Sequence, residues 1–591
     1  MNQVRYQLEL LDFVSHYYRV TLEVTPCSDE PMRLRLPAWI PGSYMVRDFA
    51  RNIQAMQVVN HQGTLPWHQV DKQTWQVVHG GSPFQLSYLV YAYDLSVRAN
   101  YFNDEIAAVN PAACCLEVAD CGPLSLTVLP GGAPEHWQVA TGLTRAENTA
   151  PLSFGEYVAR DYAQLIDCPL LIGDIAVRSF VVAGVTHHHA VVGAWNADYD
   201  RVAEDLRRIC DTQRQVFGEL PADLNEYWFL TWVVDKGYGG LEHRNSTLLL
   251  CNRFDLPNPR APEQLTDDYV TFLGLCSHEY FHTWWVKRAR PKVFSHYQLD
   301  AEQYTDQLWL YEGFTSYFDD LALVHCGLIN KQRYLTLLSE TISRVERASN
   351  QHRQSLRASS FNAWTMYYKQ DENAQNAVTN YYGKGSLVAL CLEAQLQQRG
   401  LSLAGFMQAC WQAYGRNESG SDWSLLAQIL DGYTGDSSLS NLLWQWIDEA
   451  KPLPLVESLA ALGVTMTSRA AINQQDVSGV KTFVVEPRGF GAWYEFKPEG
   501  MHISAVAEYS AAKQAGLMAG DIVIAAQGLK LSETSWREIL QRTAADSPIE
   551  LHLFRQQRLV CLTLPAEPAA ATVALLQFTA DQPQVERWLG N

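Results

Sequence analysis

The 591-residue sequence lacks several features that are typical of membrane, nucleic-acid-binding and repeat proteins. It contains no stretch of about 18 or more apolar residues, so we expect no segment to span a membrane. Positive charge is scarce, because 45 Lys and Arg stand against 64 Asp and Glu, a formal net charge of -19. Proteins that bind nucleic acid carry basic patches, so we expect no nucleic-acid partner. Internal repeats and low-complexity linkers are also lacking.

The cysteines form no CxxC pair, although there are twelve of them. Several lie in apolar runs, for example Cys276 and Cys391, which is typical of buried free thiols in a reducing compartment. The N-terminal segment MNQVRYQLELLDF has no basic region followed by a long apolar run, so it indicates a strand and not a signal peptide. We therefore predict a cytoplasmic protein. A cleaved export signal upstream of this sequence is the alternative.

The chain is rich in large apolar side chains, with 47% hydrophobic residues, 18 Trp and 28 Tyr. This composition argues against disorder, and the length predicts three or four domains. Up to about residue 175, β-branched and aromatic runs such as Tyr17–Val24, Trp75–Val78 and Phe84–Tyr93 indicate an antiparallel β domain. The Pro- and Gly-rich stretch Pro37–Tyr44 predicts a loop within it.

Strands and helices mix after about residue 195, and helices dominate from about 260 to 450. The predicted elements here are a helix over Val202–Phe217, strands over Glu226–Asp235 and Ser246–Cys251, and helices over Lys331–Ser349, Ser386–Arg399 and Leu401–Tyr414. Short strands and turns return from about 456. We predict a multidomain α+β protein with a β domain (1–175), a catalytic domain (176–328), a helical domain completing the active site (329–455) and a C-terminal module (456–591).

An HExxH pattern lies in the apolar segment Thr271–Lys287, which predicts a buried helix. His278 and His282 are four residues apart, so both imidazoles lie on one face and can reach one metal ion. Glu279 points to a neighbouring edge, where it can act as general base for the attacking water. The pattern is short, so a chance match is expected in roughly a few per cent of chains this long.

A second apolar helix, predicted over Leu308–Val324, carries Glu312 in the segment WLYEGF. A carboxylate among such residues is rarely buried unless it is paired or binds a metal. Catalytic zinc usually has three protein ligands, so we predict one Zn²⁺ per chain held by His278, His282 and Glu312. The alternative is that Glu312 lies at a solvated helix edge. We expect Asp319 and Asp320 to face solvent.

The HExxH helix followed by WLYEGF resembles the gluzincin peptidases, in particular the aminopeptidase N superfamily. In that superfamily the gap from the second His to the Glu is shorter than the twenty-nine residues found here, Thr283 to Tyr311. This spacing, the segment Gly239–His243 (GGLEH), the PxWxPGSY segment and the C-terminal module resemble the glycyl aminopeptidase family more closely. The resemblance covers essentially the whole chain. It implies a thermolysin-like catalytic domain.

The resemblance also implies roles for residues outside the two helices. Glu242, after Gly239 and Gly240, matches the Glu of the G-x-M-E-N segment that binds the free α-amine of the substrate, although Leu241 and His243 depart from it. A fixed anion there selects an ammonium group; the alternative is a turn carboxylate without a ligand. Tyr382 matches the Tyr that stabilises the tetrahedral intermediate, with Tyr381 as its rival. The neighbouring residues 383–386 lack the spacing of a phosphate loop.

The C-terminal module, with YSAAKQAGLMAGDIVIAAQG at Tyr509–Gly528, resembles a PDZ domain. The segment Gly489, Phe490, Gly491 and Ala492 resembles its carboxylate-binding loop. A PDZ-like groove would bind a peptide C-terminus or mediate self-association. The alternative is a fold used only for packing or dimerisation.

Two further patterns in the sequence bear on its chemistry. The triplet His187–His189 predicts an exposed strand and not a second metal site, because alternate side chains in a strand point to opposite faces. No G-x-S-x-G elbow occurs, which disfavours a serine hydrolase.

Together these features predict a zinc-dependent aminopeptidase that acts on peptides with a free N-terminus. By resemblance, the N-terminal residue it removes is small, Gly or Ala. The alternatives are a zinc endopeptidase and a non-catalytic PDZ peptide-binding adaptor with a vestigial metal site.

Overall fold

The structure is a computed structural model that describes residues 1–483, 485–579 and 583–590. The protein is a multidomain α+β protein whose chain separates into two compact units. The first unit is Met1–Gln303 with Met407–Asp422, and the second is Tyr304–Phe406 with Trp423–Asn591. The boundaries between the four predicted domains stay a prediction.

The N-terminal part of the first unit is built from strands, as predicted. Its elements are β1 (Gln3–Asp12), β2 (Tyr17–Thr25), β3 (Met32–Arg35), β4 (Ile53–Asn60), β5 (Gly63–Thr64), β6 (Trp67–Asp71), β7 (Thr74–Val77), β8 (Phe84–Tyr91), β9 (Tyr101–Phe102), β10 (Ile106–Val109), β11 (Glu117–Val118), β12 (Leu124–Leu129), β13 (Gln138–Thr141), β14 (Thr144–Arg145), β15 (Gly155–Ala159), α1 (Tyr162–Ile166) and β16 (Leu170–Gly173).

The largest N-terminal sheet has the order β14-β15-β12-β1-β2-β8-β4-β5. Smaller sheets have the orders β13-β16-β10-β9 and β11-β3-β7-β6. Strand β2 shows why the sequence folds this way, since Tyr18, Val20, Leu22 and Val24 alternate inward with polar residues outward. The sheet departs from the purely antiparallel prediction at one ladder, because β1 pairs with β12 in parallel.

A mixed sheet and two helices follow in the same unit. They are β17 (Ala176–Val182), β18 (Val185–Val192), α2 (Tyr199–Phe217), β19 (Glu226–Val234), β20 (Gly239–Glu242), β21 (Ser246–Asn252) and α3 (Asp267–Phe281). The strand order is β17-β18-β19-β21-β20. The ladders between β18, β19 and β21 are parallel, and β20 is an antiparallel edge strand.

The histidine triplet lies on β18, but the expectation of an exposed strand is wrong. His187 and His189 are buried, at 0% and 1% exposure, because β18 is an inner strand and this face is covered by α3. His187 Nε2 lies 2.9 Å from the Tyr280 hydroxyl, and His189 Nε2 lies 3.0 Å from the Thr231 hydroxyl. Burial lowers the pKa of both imidazoles, to about 4 and about 3.

Helices dominate the second unit up to about residue 461. They are α4 (Leu308–His325), α5 (Lys331–Arg347), α6 (Leu356–Phe361), α7 (Ala374–Ala377), α8 (Tyr381–Gln397), α9 (Leu403–Cys410), which runs on into the first unit, α10 (Trp423–Thr434), α11 (Ser438–Asp448) and α12 (Leu455–Ala461). Among the residues the structure describes, no helix is long and apolar enough to cross a membrane.

The C-terminal elements of the second unit are again mostly strands. They are β22 (Val464–Arg469), β23 (Ala492–Lys497), β24 (Gly500–Val506), α13 (Ala511–Ala515), β25 (Ile522–Ala526), β26 (Leu529–Lys530), α14 (Glu533–Arg542), β27 (Ile549–Arg555), β28 (Arg558–Leu564), β29 (Val573–Phe578) and α15 (Pro583–Leu589). One sheet has the order β23-β24-β25-β27-β28, with β26 on β25, and β22 pairs with β29. Apolar residues such as Met501, Val523 and Trp536 form its core.

Candidate active site

The HExxH residues lie at the C-terminal end of α3. The helix starts after Thr266, whose hydroxyl accepts a hydrogen bond from Tyr269 N–H, and ends at His282. We predicted that it continues to Lys287; instead the chain turns away, with Val286 at a φ of 90°. The negative end of the helix dipole therefore lies beside the histidines, which favours a cation there.

His278 and His282 are oriented as a pair. Their ring centroids are 4.8 Å apart, at an interplanar angle of 85°. His282 Nδ1 lies 3.0 Å from the carbonyl oxygen of Trp285, which can only accept, so Nδ1 carries the proton and Nε2 is left as a metal-binding lone pair. Helix α2 braces this end of α3, because Gln213 donates to the Ser277 carbonyl at 2.7 Å.

Two carboxylates lie next to His282. Donor atoms of Glu242, Glu279 and His282 lie within 4.8 Å of one another. Glu242 and Glu279 are 4% and 5% exposed. Within the described part of the chain, Glu242 Oε1 and Glu279 Oε2 are buried without a hydrogen-bond partner. Burial raises the pKa of Glu279 to about 7; His278 opposes this rise, and the charge of Glu242 adds to it. The arrangement suits a cation, either a metal ion or an ammonium group.

The backbone at two glycines packs directly against the two carboxylates and restricts their positions. A Cβ atom on Gly240 of β20 would lie 2.2 Å from Oε1 of Glu279, and one on Gly42 would lie 2.2 Å from Oε1 of Glu242. Gly42 belongs to the predicted loop Pro37–Tyr44 and has a φ of 93°. Arg98 Nη2 donates to the Gly240 carbonyl at 3.1 Å. Only glycine leaves room for the carboxylates at these two positions.

Asp167 ties together the segments on both sides of the HExxH helix. It accepts hydrogen bonds from Lys287 Nζ at 2.7 Å, from His243 Nδ1 at 3.1 Å and from Arg244 N at 3.0 Å. Lys287 follows the helix, and His243 follows Glu242. This explains the departure from the G-x-M-E-N segment at His243, because the imidazole makes a buried contact to a carboxylate.

In the second unit, Glu312 lies on α4 and is 2% exposed, as predicted for a buried carboxylate. Helices α4 and α8 touch backbone to backbone: a Cβ on Gly313 would lie 2.5 Å from the Gly385 Cα atom. Gly385 is thus a helix-packing glycine. Asp319 and Asp320 are half-buried and not fully solvent-facing.

Tyr381 and Tyr382 form the first turn of α8, which begins five residues before the predicted start at Ser386. The Asn380 side chain caps this helix by accepting from Tyr382 N and Gly383 N at 3.0 and 3.2 Å. Tyr381 is fully buried, whereas Tyr382 is half-buried. Burial raises the pKa of the Tyr382 phenol, and the charge of Glu312 raises it further, so the phenol keeps its proton and remains a donor. Burial and the charge of Glu312 raise the pKa of Tyr381 as well, so it is the greater exposure of Tyr382 that favours it as the oxyanion donor.

Comparisons with known proteins identify the family of this chain. Residues 5–174 match the peptidase M61 N-terminal domain, and residues 271–388 match the M61 glycyl aminopeptidase family. A crystal structure of an aminopeptidase N family protein from Idiomarina loihiensis has a TM-score of 0.95 and 38% sequence identity, over 99% of this chain and 100% of that chain. The chain belongs to the M61 peptidase family. It is therefore a metallo-aminopeptidase hydrolase.

More distant structures are also similar to this M61 peptidase. An M1 zinc metallopeptidase from Deinococcus radiodurans has a TM-score of 0.46 and 14% identity, over 77% of this chain and 95% of that chain. Legionella pneumophila aminopeptidase A, in complex with aspartic acid, has a TM-score of 0.46 and 14% identity, over 75% and 49%. A search of curated proteins found no match.

The segment Gly489–Ala492 of this M61 peptidase lines a cavity of about 440 Å³ in the second unit. Trp536 and Leu540 of α14 and Ala511 of α13 line the same cavity. The neighbouring edge strand β23 already has a partner: the Gln474 side-chain amide donates to Tyr494 O at 2.6 Å and accepts from Tyr494 N at 2.8 Å.

Proposed function

We propose that this M61 peptidase is a zinc-dependent aminopeptidase that removes small N-terminal residues, Gly or Ala, from peptides. The proposed ligands are His278, His282 and Glu312, which hold one Zn²⁺ per chain. Two imidazoles and a carboxylate are a donor set typical of catalytic zinc. When bound, zinc polarises the scissile carbonyl and acidifies the attacking water. We also propose that residues 176–328 form a thermolysin-like catalytic domain.

Residues of the chain itself carry out proton transfer, oxyanion stabilisation and substrate binding. Glu279, whose pKa is raised by burial, accepts the proton of the attacking water and passes it to the leaving amine. The Tyr382 phenol donates a hydrogen bond to the developing oxyanion. Glu242 binds the α-ammonium group of the substrate, and Gly239 and Gly240 line its approach. The pair of buried carboxylates beside His282 is the observation that supports exopeptidase chemistry most strongly.

The proposal extends to partners and location. Buried free thiols such as Cys276 and Cys391 support a reducing, cytoplasmic environment. We propose that residues 456–591 contain a PDZ-like module whose groove, lined by Gly489, Phe490, Gly491 and Ala492, binds a peptide C-terminus or a second copy of the chain. A peptide strand added to β23 would have to displace the Gln474 amide.

Metal analysis combined with a panel of N-terminal aminoacyl reporter substrates tests the enzymatic proposal. We expect about one zinc per chain, activity that a chelator removes and zinc restores, and a preference for Gly and Ala reporters. His282→Ala should lose both zinc and activity, and exposed His61→Ala should keep both. Undiminished zinc in His282→Ala would rule out the ligand assignment, and cleavage of only internal bonds would favour an endopeptidase.

A further inference from the structure

Three metal-binding side chains lie together on the hairpin of β27 and β28, outside the active site. The ladder runs without a register shift from Ile549 opposite Leu564 to Arg555 opposite Arg558. His552 is directly opposite Cys561. Glu550 precedes His552 by two residues and therefore lies on the same face.

Side chains along β27 alternate between the two faces of the sheet, and these three side chains lie on the face that points away from the core. Ile549, Leu551 and Leu553 are buried on the other face. The hairpin backbone therefore holds the three side chains at fixed positions. Cross-strand partners such as His552 and Cys561 have Cβ atoms about 4.5–5.5 Å apart, so the imidazole and the thiol can reach one ion.

The distances suit a small divalent cation. One oxygen of Glu550, one ring nitrogen of His552 and the sulfur of Cys561 lie within 4.8 Å of one another. Glu550 Oε1 is 3.7 Å from His552 Nδ1. Around tetrahedral zinc, with bonds of about 2.0–2.3 Å, ligand atoms lie roughly 3.3–3.8 Å apart. Side-chain rotations that move each donor atom by less than about 1 Å would bring the three atoms to these separations.

We propose that Glu550, His552 and Cys561 form a second metal site, which binds Zn²⁺ or another thiophilic divalent cation. Thiolate and imidazole together select such ions over Mg²⁺ and Ca²⁺, which prefer oxygen ligands. Binding displaces the thiol proton to solvent and forms a metal–sulfur bond, so the site binds more tightly as the pH rises. The Glu550 and His552 side chains are 54% and 34% exposed, so water completes the coordination and the ion exchanges freely.

This site differs in chemistry from the proposed catalytic one, which uses imidazole and carboxylate donors. Absorption from a cadmium–thiolate bond therefore reports on thiol-containing sites alone. Cys27 and Cys561 are exposed cysteines, so a Cys27→Ser background removes the competing surface thiol. The proposal stands independently of the aminopeptidase assignment.

The test is a Cd²⁺ titration of the zinc-loaded full-length Cys27→Ser protein, followed by ultraviolet absorption, with Zn²⁺ as competitor. We expect a thiolate charge-transfer band that saturates at one equivalent and is reversed by Zn²⁺. Zn²⁺ should also slow the reaction of Cys561 with a disulfide reagent. Loss of an outer-shell partner weakens metal binding by about ten- to a hundredfold, so loss of a direct ligand should cost at least about tenfold.

The variants separate the outcomes. Cys561→Ser should abolish the band, and His552→Thr and Glu550→Gln should each weaken binding at least about tenfold. His502→Thr is the matched control, because His502 pairs with Glu499 at 3.1 Å on the same domain, and it should change nothing. A band that persists in Cys561→Ser, an unchanged affinity in His552→Thr, or no band in the parent would each overturn the proposal.

Discussion

Two buried carboxylates, Glu242 and Glu279, lie side by side near His282, and we propose different roles for them. Glu279 is on the helix that carries the histidines, and burial raises its pKa toward neutrality, as a general base requires. Glu242 is on β20, an edge strand of the mixed sheet. Their positions on different elements support the proposed division, with Glu279 as the general base and Glu242 as the amine-binding group.

Replacing Glu279 by Gln should leave the metal bound and remove nearly all turnover. The amide preserves the volume and hydrogen-bonding shape of the side chain but cannot accept the proton. We expect kcat to fall by about a hundred- to ten-thousandfold, the range that general-base catalysis contributes. Zinc content and kcat measured on the same preparation check this. Near-normal turnover would exclude Glu279 as the base.

Replacing Tyr382 by Phe should lower kcat by about ten- to a thousandfold with little change in KM, as expected for a donor that acts only in the transition state. Steady-state kinetics of Tyr382→Phe and Tyr381→Phe make the comparison. Tyr381 is fully buried, so its Phe variant should retain most activity. If Tyr381→Phe shows the loss and Tyr382→Phe does not, the assignment is reversed.

Among individual site residues, the sequence predicts the relative placement of those that lie on one helix. His278, Glu279 and His282 are placed by helical periodicity alone. Asp167, Arg98 and Gly42 could not be found that way, because tertiary folding brings them to the site. Asp167, for example, is 76 residues from His243. The Pro- and Gly-rich PxWxPGSY segment could be recognised in the sequence, but the local sequence pattern does not predict that its Gly42 lies against Glu242.

The secondary-structure elements were predicted best where an apolar pattern stops abruptly. Strand β2 and helix α4 match their predictions within a residue or two. Errors came at ends set by side-chain caps or by the tertiary path. Asn380 starts α8 before the apolar run begins, and α3 ends at Phe281, a few residues before the chain turns at Val286. The burial of β18 depended on the strand order, which alternation along one strand does not reveal.

The edge strand β20 offers a test of positioning without loss of fold. Gly240→Ala would place a methyl group 2.2 Å from Oε1 of Glu279, and the Glu279 side chain would have to move aside. A displacement of about 1 Å costs on the order of a hundredfold in rate, so we expect kcat/KM to fall tenfold to a hundredfold while Tm changes little.

Gly432→Ala is the matched control for that experiment. It lies within helix α10, and no atom lies within 4 Å of its added Cβ. Its activity should be unchanged. If Gly240→Ala keeps wild-type kinetics, the contact between β20 and Glu279 does not position the base.

At the scale of the whole first unit, a buried ion pair joins the N-terminal part of the chain to the segment after α3. Burial raises the pKa of Asp167, but the charge of Lys287 and the His243 hydrogen bond lower it more, so the pKa lies below its ordinary value of 3.8. The folded state therefore gains stability from the pair above that value and loses it as the pH falls below it.

Lys287→Met should lower the free energy of unfolding by about 3–5 kcal/mol at neutral pH, because it leaves the Asp167 carboxylate without its cation. The difference from wild type should shrink below pH 3.8 as Asp167 is protonated. Urea denaturation at neutral and acidic pH measures both. Exposed Lys369→Met is the control and should change stability by less than about 0.5 kcal/mol. A pH-independent difference would contradict the ion-pair account.

We propose that Glu242 makes this peptidase an exopeptidase by binding the free α-ammonium group of the substrate. The most direct test compares kcat/KM for a glycyl peptide and its N-acetylated twin, with wild-type enzyme and with Glu242→Ala. Acetylation leaves Glu242 unpaired in the buried site, at a cost of about 2–4 kcal/mol. We therefore expect the acetylated peptide to be cleaved about thirty- to a thousandfold more slowly, and Glu242→Ala to erase most of this preference by harming the free-amine substrate. Comparable rates for the two peptides with wild-type enzyme would contradict the proposed role of Glu242 and favour an endopeptidase.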